Sequence, residues 1–237
     1  MSMFRILLAD DHPVFRMGVC SLIGSHAGWE VCGEAADGRE AVIKCRELKP
    51  DLLILDICTP NLNGVDAARQ ILRDRQDQKI LVLTNVESEH VVRDCLQAGV
   101  RGWVFKSDRA DELTAAIEQL QQNKSSFSSR VSNLILYGYL HPHRATSTQV
   151  LPARLSLRER EVVQLVSEGK TSKEVAVLLG MSVKTAETHR SNIMVKLKLH
   201  STVELVMYAI RNEIVHVQLP NVATSILPTE IGRASAA

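Results

Sequence analysis

Five short apolar runs recur along the first half of the chain, each followed by a polar turn and an amphipathic stretch. Phe4–Ala9, Trp29–Ala36, Leu52–Asp56, Lys79–Thr84 and Gly102–Lys106 show little alternation, the pattern of strands buried on both faces. Between them, apolar residues return at helical spacing. Val14, Met17, Gly18 and Leu22 predict one helical face, and Ala41, Val42, Cys45 and Leu48 another; residues 64–74, 87–98 and 108–122 complete the set. Pro13 suits the first turn of a helix, and Gly99 suits a helix end. Strand and helix thus alternate five times. That predicts an α/β fold with a (βα)5 doubly wound parallel sheet of order 2-1-3-4-5.

The pattern changes after residue 122. Residues 123–153 are polar at both ends, with Val131, Leu134, Ile135, Leu136 and Tyr139 able to form a short amphipathic helix between, which reads as a linker. His141 and His143 lie in it without a thiol or carboxylate neighbour and are expected to be solvated. From 154 to 216 the spacing is helical throughout. Ser156 and Glu159, then Thr171 and Glu174, each form a capping box, and Ser182 caps a third helix. Gly169 and Gly180 stand where helices should stop. Two short helices across Leu179-Gly-Met-Ser182 describe a helix-turn-helix in a small all-α domain. Residues 217–237 read as a disordered tail.

Charge sharpens this division. Residues 1–122 carry 14 basic and 19 acidic side chains; residues 154–216 carry 10 and 7. An acidic front and a basic back predict two modules with different partners. The five cysteines form no CxxC pair, which suits free thiols in a reducing compartment. No apolar stretch reaches the roughly 18 residues of a membrane span, so the expected location is the cytoplasm, without a membrane partner.

Chemistry gathers at the strand ends. In an open parallel sheet, ligands bind at the carboxyl ends of the strands, beside the switch in strand order. Asp10 and Asp11 end the first strand, Asp56 the third, Thr84 the fourth and Lys106 the fifth. Three converging carboxylates call for a hard divalent cation, and Mg²⁺ suits them. Asp56 can then attack a phosphoryl group, with Lys106 and Thr84 stabilising charge on its oxygens. An aspartyl-phosphate phosphatase of the haloacid dehalogenase type uses similar groups, but it needs two aspartates two apart on one strand, which this chain lacks.

Asp10-Asp11, Asp56 with Pro60 and Gly64, Thr84 and Lys106 together resemble the receiver domain of two-component response regulators, a flavodoxin-like fold. The resemblance implies that Asp56 accepts the phosphoryl group from a sensor histidine kinase. It also implies that Asp10, Asp11, Asp56 and the Cys58 carbonyl hold Mg²⁺, and that Thr84 and Trp103 act as the switch. Thr59, Asn85 and Trp103 depart from the common residues at their positions.

On the third back helix, Val183, Ala186, Ile193 and Leu197 face the core, while Lys184, Thr188, Ser191, Val195 and Lys198 line another face with Glu187 at its edge. Such a stripe suits the DNA major groove. Lys184, Arg190, Lys196 and Lys198 are placed for phosphates. The stretch from Leu155 through Leu197 resembles the LuxR-type DNA-binding domain, so the whole chain is similar to NarL/FixJ-family regulators. That resemblance adds Thr185 and His189 to the DNA-binding set and implies a homodimer, when active, through Val203, Val206, Met207 and Ile210. Ala186 and Val195 depart from the family's usual residues. The expectation is a transcriptional regulator whose promoter binding follows phosphorylation of Asp56, rather than an enzyme. A DNA-binding protein using the front module only as a dimerisation scaffold is the alternative.

Overall fold

The computed structural model describes residues 3–140 and 155–216. Strand and helix alternate as the pattern predicts: β1 (Phe4–Ala9), α1 (Pro13–Gly24), β2 (Trp29–Ala35), α2 (Gly38–Leu48), β3 (Leu52–Leu55), α3 (Gly64–Asp74), β4 (Lys79–Thr84), α4 (Glu89–Ala98), β5 (Gly102–Phe105) and α5 (Ala110–Gln121). A short β6 (Ser126–Phe127) and α6 (Ser129–Leu140) follow. The sheet is parallel, ordered β2-β1-β3-β4-β5-β6. It therefore runs one strand beyond the five legible in the sequence, because two residues of β6 pair with Gly102 and Trp103. No apolar run announces so short a strand.

Two apolar layers cover the sheet. Leu7, Leu53, Leu55, Ile80 and Val82 point to one face, under α2, α3 and α4; Ile6, Leu8, Leu52, Ile54 and Leu81 point to the other, under α1 and α5. The alternation comes from the strand period of two. Helix α6 joins the first layer: Val131 is fully buried there, with Leu134 and Ile135 packed beside it. Leu136 stays exposed, while His141 and His143 lie outside the described residues, as does the tail from 217.

One expected face is corrected. On α1 the core residues are Val19 and Ile23, with Phe15 and Leu22 half-buried, whereas Val14 and Met17 are 82% and 70% exposed. Apolar residues recur all around this helix, so spacing alone allows more than one inward face.

The back module holds α7 (Leu157–Ser167), α8 (Ser172–Leu179), α9 (Val183–Leu197) and α10 (Thr202–Arg211). Both capping boxes form, Ser182 caps α9, and Gly180 ends α8 in the left-handed conformation. The core gathers Val162, Val163, Leu165 and Val166 of α7 with Val175, Leu179, Ala186, Ile193, Leu205 and Ala209. Leu197 packs at its edge, while Val183 is 39% exposed and belongs to the surface instead. Among the described residues, no helix is long and apolar enough to cross a membrane.

Candidate functional site

Strand register builds the site. Ala9 pairs with Leu55 and Leu55 with Val82, so Asp10 and Asp56 leave the sheet side by side, one residue beyond their pairs. Thr84 pairs with Phe105, which places Lys106 next in line. The Lys106 Nζ bridges Asp10 Oδ2 and Asp56 Oδ2, each at 2.7 Å. Asp10 and Asp56 are only 1% and 2% exposed. Burial works against the Lys106 charge, yet the Asp56 and Asp10 carboxylates outweigh it and raise its pKa above the ordinary value. The Phe15 ring lies under the ammonium, 4.8 Å away.

The loop after β3 is pulled tight around Asp56. The Cys58 backbone N–H donates to Asp56 Oδ1 at 3.3 Å. The Gly64 backbone folds so close that an added Cβ would lie 2.2 Å from the Asp56 carbonyl oxygen, so glycine is required there by contact rather than by φ. The Cys58 thiol is pushed up to about 12 by burial, with the Asp56 charge adding to it; it is no nucleophile. Thr84 is fully buried, its hydroxyl accepting from the Val86 backbone N–H at 3.3 Å. Trp103 is 1% exposed, edge-on to Phe105, and its indole N–H has no partner.

Asp10, Asp11, His12 and Asp56 each offer a ligand atom within 4.8 Å of the others. His12 is an addition that the sequence did not single out; its Nδ1 lies 2.8 Å from Asp11 Oδ1. That contact is close enough for an ion pair but not aligned as a hydrogen bond, and Asp11 Oδ1 remains a buried acceptor with no donor. Three carboxylates against one ammonium leave two negative charges unmatched. The three carboxylates supply hard oxygen donors, with the His12 ring nitrogen beside them. Both features fit Mg²⁺.

The polar stripe of α9 is open. Lys184, Thr185, Glu187, Thr188, Ser191, Lys196 and Lys198 are exposed, and His189 and Arg190 half-exposed. Val195 is 77% exposed within that stripe. Two of the basic residues are engaged inside the module: Lys196 pairs with Glu159 of α7 at 2.7 Å, and Arg190 donates to the Thr202 hydroxyl at 2.7 Å. On α10, Val203 and Met207 are exposed, and Val206 and Ile210 half-buried.

A contact between the modules escaped the sequence reading. Gln164 of α7 is 1% exposed and reaches the loop after β3. Its Oε1 accepts from the Asn63 backbone N–H at 2.8 Å and from Asn63 Nδ2 at 3.1 Å, while its Nε2 donates to Thr59 O at 3.2 Å. Arg160 pairs with Asp66 at 2.9 Å, and Arg39 with Glu161 at 3.1 Å. The signal was present: Gln164 interrupts the run Val162-Val163-Gln164-Leu165-Val166, where a lone amide needs buried partners.

The chain matches two families in succession: the response regulator receiver domain over residues 6–118, and the bacterial regulatory proteins of the luxR family over residues 153–209. It is 34% identical to the transcriptional regulatory protein LiaR of Bacillus subtilis, over 90% of this chain and all of that one. To the response regulator protein VraR of Staphylococcus aureus it is 31% identical, over 89% and 98%. Among solved structures it resembles RcsB of Salmonella enterica serovar Typhimurium bound to promoter P1flhDC, with a TM-score of 0.55 and 26% identity, over 86% of this chain and 97% of that one. A receiver followed by a LuxR-type helix-turn-helix, along nearly the whole length of such relatives, places the chain in the NarL/FixJ family of two-component response regulators, the DNA-binding regulators of transcription.

Proposed function

We propose that Asp56 is the phosphoacceptor of this regulator and that its donor is the phosphohistidine of a sensor histidine kinase. The bridging of Asp10 and Asp56 by one lysine ammonium, beside an unsatisfied Asp11 oxygen, carries this reading. Asp10, Asp11, Asp56 and the Cys58 carbonyl would hold Mg²⁺, which when bound supplies positive charge for the phosphoryl oxygens. Asp56 accepts hydrogen bonds from the Lys106 ammonium and the Cys58 N–H, which fix its side chain in place. Lys106 then follows the phosphoryl group, and the Thr84 hydroxyl turns from Val86 toward it. That turn frees space beside Trp103, which couples the acceptor to the β4–β5 end of the sheet.

The output follows from the back module. Helix α9 enters the major groove with Thr185, Glu187, Thr188, His189 and Ser191 toward bases, and Lys184, Arg190, Lys196 and Lys198 toward phosphates. Val203, Val206, Met207 and Ile210 of α10 pair two chains on adjacent half-sites. Residues 1–122 serve as receiver, extended by β6 and α6 of the joining segment 123–153, and residues 154–216 serve as the DNA-binding module in a cytoplasmic protein.

The test compares wild type with Asp56→Asn, with and without acetyl phosphate and Mg²⁺. Phosphate is expected only on wild type, and footprints on chromosomal DNA should strengthen only there. Footprints identical in all four samples would favour a receiver that serves as a dimerisation scaffold.

A further inference from the structure

The first two turns of α9 hold their side chains in fixed chemical states before any base meets them. Four polar side chains are exposed there: Lys184, Thr185, Glu187 and Thr188. The two hydroxyls are already engaged. Thr185 Oγ1 lies 2.7 Å from the Ser182 hydroxyl, which accepts from the Thr185 backbone N–H at 3.0 Å and so caps the helix. Thr188 Oγ1 donates to the Lys184 carbonyl at 2.8 Å. Its proton is thereby spent on the backbone, and what Thr188 still offers is a methyl group and acceptor lone pairs. Glu187 differs from both. Its carboxylate meets no cation and no donor among the described residues. The guanidinium three positions on, Arg190, donates to the Thr202 hydroxyl instead.

A free carboxylate is ordinary on a solvated surface. On a face that approaches phosphates it repels its own target, and only a hydrogen bond from a base edge offsets that. We infer that Glu187 selects cytosine: its carboxylate accepts from the N4 amino group in the major groove, while the Thr188 methyl packs against the methyl of a neighbouring thymine. The inference rests on α9 being the major-groove helix. Position favours it, because the N-terminal residues of a reading helix are those that meet base edges. Chemistry narrows the choice to one base. An ionised carboxylate only accepts. Guanine presents two acceptors, N7 and O6, and thymine presents O4, so both repel it. Adenine sets its N7 acceptor beside the N6 amino group, whereas cytosine offers N4 with no acceptor of its own beside it. Selection thus comes as much from rejecting three bases as from holding the fourth.

The test selects duplexes from a random-sequence pool with the full chain, acetyl phosphate and Mg²⁺, and then measures affinities by titration. Wild type should enrich a cytosine at one fixed place in each half-site, and thymine there should weaken binding about tenfold. Glu187→Gln should enrich adenine at that place, since an amide pairs with N6 and N7 together. Glu187→Ala should lose the preference at that place and grip unrelated duplexes more tightly than wild type, having shed a like charge. Uracil for the neighbouring thymine, which deletes only the methyl, should weaken wild type more than Thr188→Ser. A wild-type pool without a fixed cytosine, or a Glu187→Gln pool that keeps it, overturns the assignment. A wild type that binds every duplex alike would instead sink the reading of α9 as the major-groove helix.

Discussion

Lys106→Met tests the electrostatics of the site most directly. The substitution keeps much of the side-chain length and removes the charge that bridges Asp10 and Asp56, both 2.7 Å away. The three side chains are 9%, 2% and 2% exposed, so water cannot replace the ammonium. At an effective dielectric of 20, each contact carries roughly 6 kcal/mol of Coulomb attraction before desolvation. Much of that is offset by the cost of burying the ions, and removing one partner of a buried pair costs about 3–5 kcal/mol. With a urea slope of about 2 kcal/mol/M, the midpoint should fall by roughly 2 M in magnesium-free buffer. Both tryptophans, Trp29 and Trp103, lie in the receiver, so their fluorescence follows this module alone. Magnesium should stabilise the variant more than wild type, since three carboxylates would then face the cation without a competing ammonium. The sign against pH is fixed as well. The folded pKa of Lys106 lies above its ordinary 10.5, so its contribution is full below 10.5 and fades as pH rises through the higher value. A midpoint shift below about 0.5 M, or equal magnesium stabilisation of both proteins, would refute a charge-balanced cluster.

Three further outcomes follow from particular contacts. Gly64→Ala should destabilise the receiver by about 1–3 kcal/mol and abolish phosphate uptake, because its Cβ would meet the Asp56 carbonyl at 2.2 Å; denaturation and phosphate incorporation read both. Burial raises the pKa of the Glu168 carboxyl, so in the folded chain it binds a proton more tightly than when unfolded. Its ionised form therefore costs stability, most fully above the raised value, and wild type should gain on Glu168→Gln as pH falls toward 4.5; thermal melts of both across that range would show the gap close. Lys184→Ala should weaken DNA binding about equally on all duplexes and lower the salt slope by about one, measured by titration at several salt concentrations.

The sequence revealed most where a rule of period or capping acts alone. Strands β1 to β5 were legible because a run buried on both faces has no polar alternation. Helices α7 to α9 were legible because Ser156, Thr171 and Ser182 satisfy specific backbone donors. The acidic pocket was legible because carboxylates at strand ends have few structural uses. What stayed hidden depends on distant partners. The inward face of α1 is set by how it lies on β1 and β2, so Val14 and Met17 were misplaced and Val19 and Ile23 are buried instead. Strand β6 exists because β5 offers it an edge. The Gln164 clamp joins residues about a hundred positions apart, and no local pattern encodes that distance.

The charge asymmetry of the two halves illustrates the same point. Read alone, an acidic front and a basic back suggest two outside partners. Part of that opposition is met inside the chain, since Arg160 of the back sits on Asp66 of the front. It also runs the other way, with Arg39 of the front on Glu161 of the back. Net charge therefore cannot assign partners; location can. Lys184, Arg190, Lys196 and Lys198 lie on α9 or at its C-terminal end, and two of them, Lys196 and Arg190, brace that helix against α7 and α10. A phosphate competing for those two must first displace Glu159 or Thr202. Lys184 and Lys198, at opposite ends of the helix, are thus the residues on which electrostatic attraction for a DNA backbone should chiefly rest, while Lys196 and Arg190 hold the reading helix at its angle.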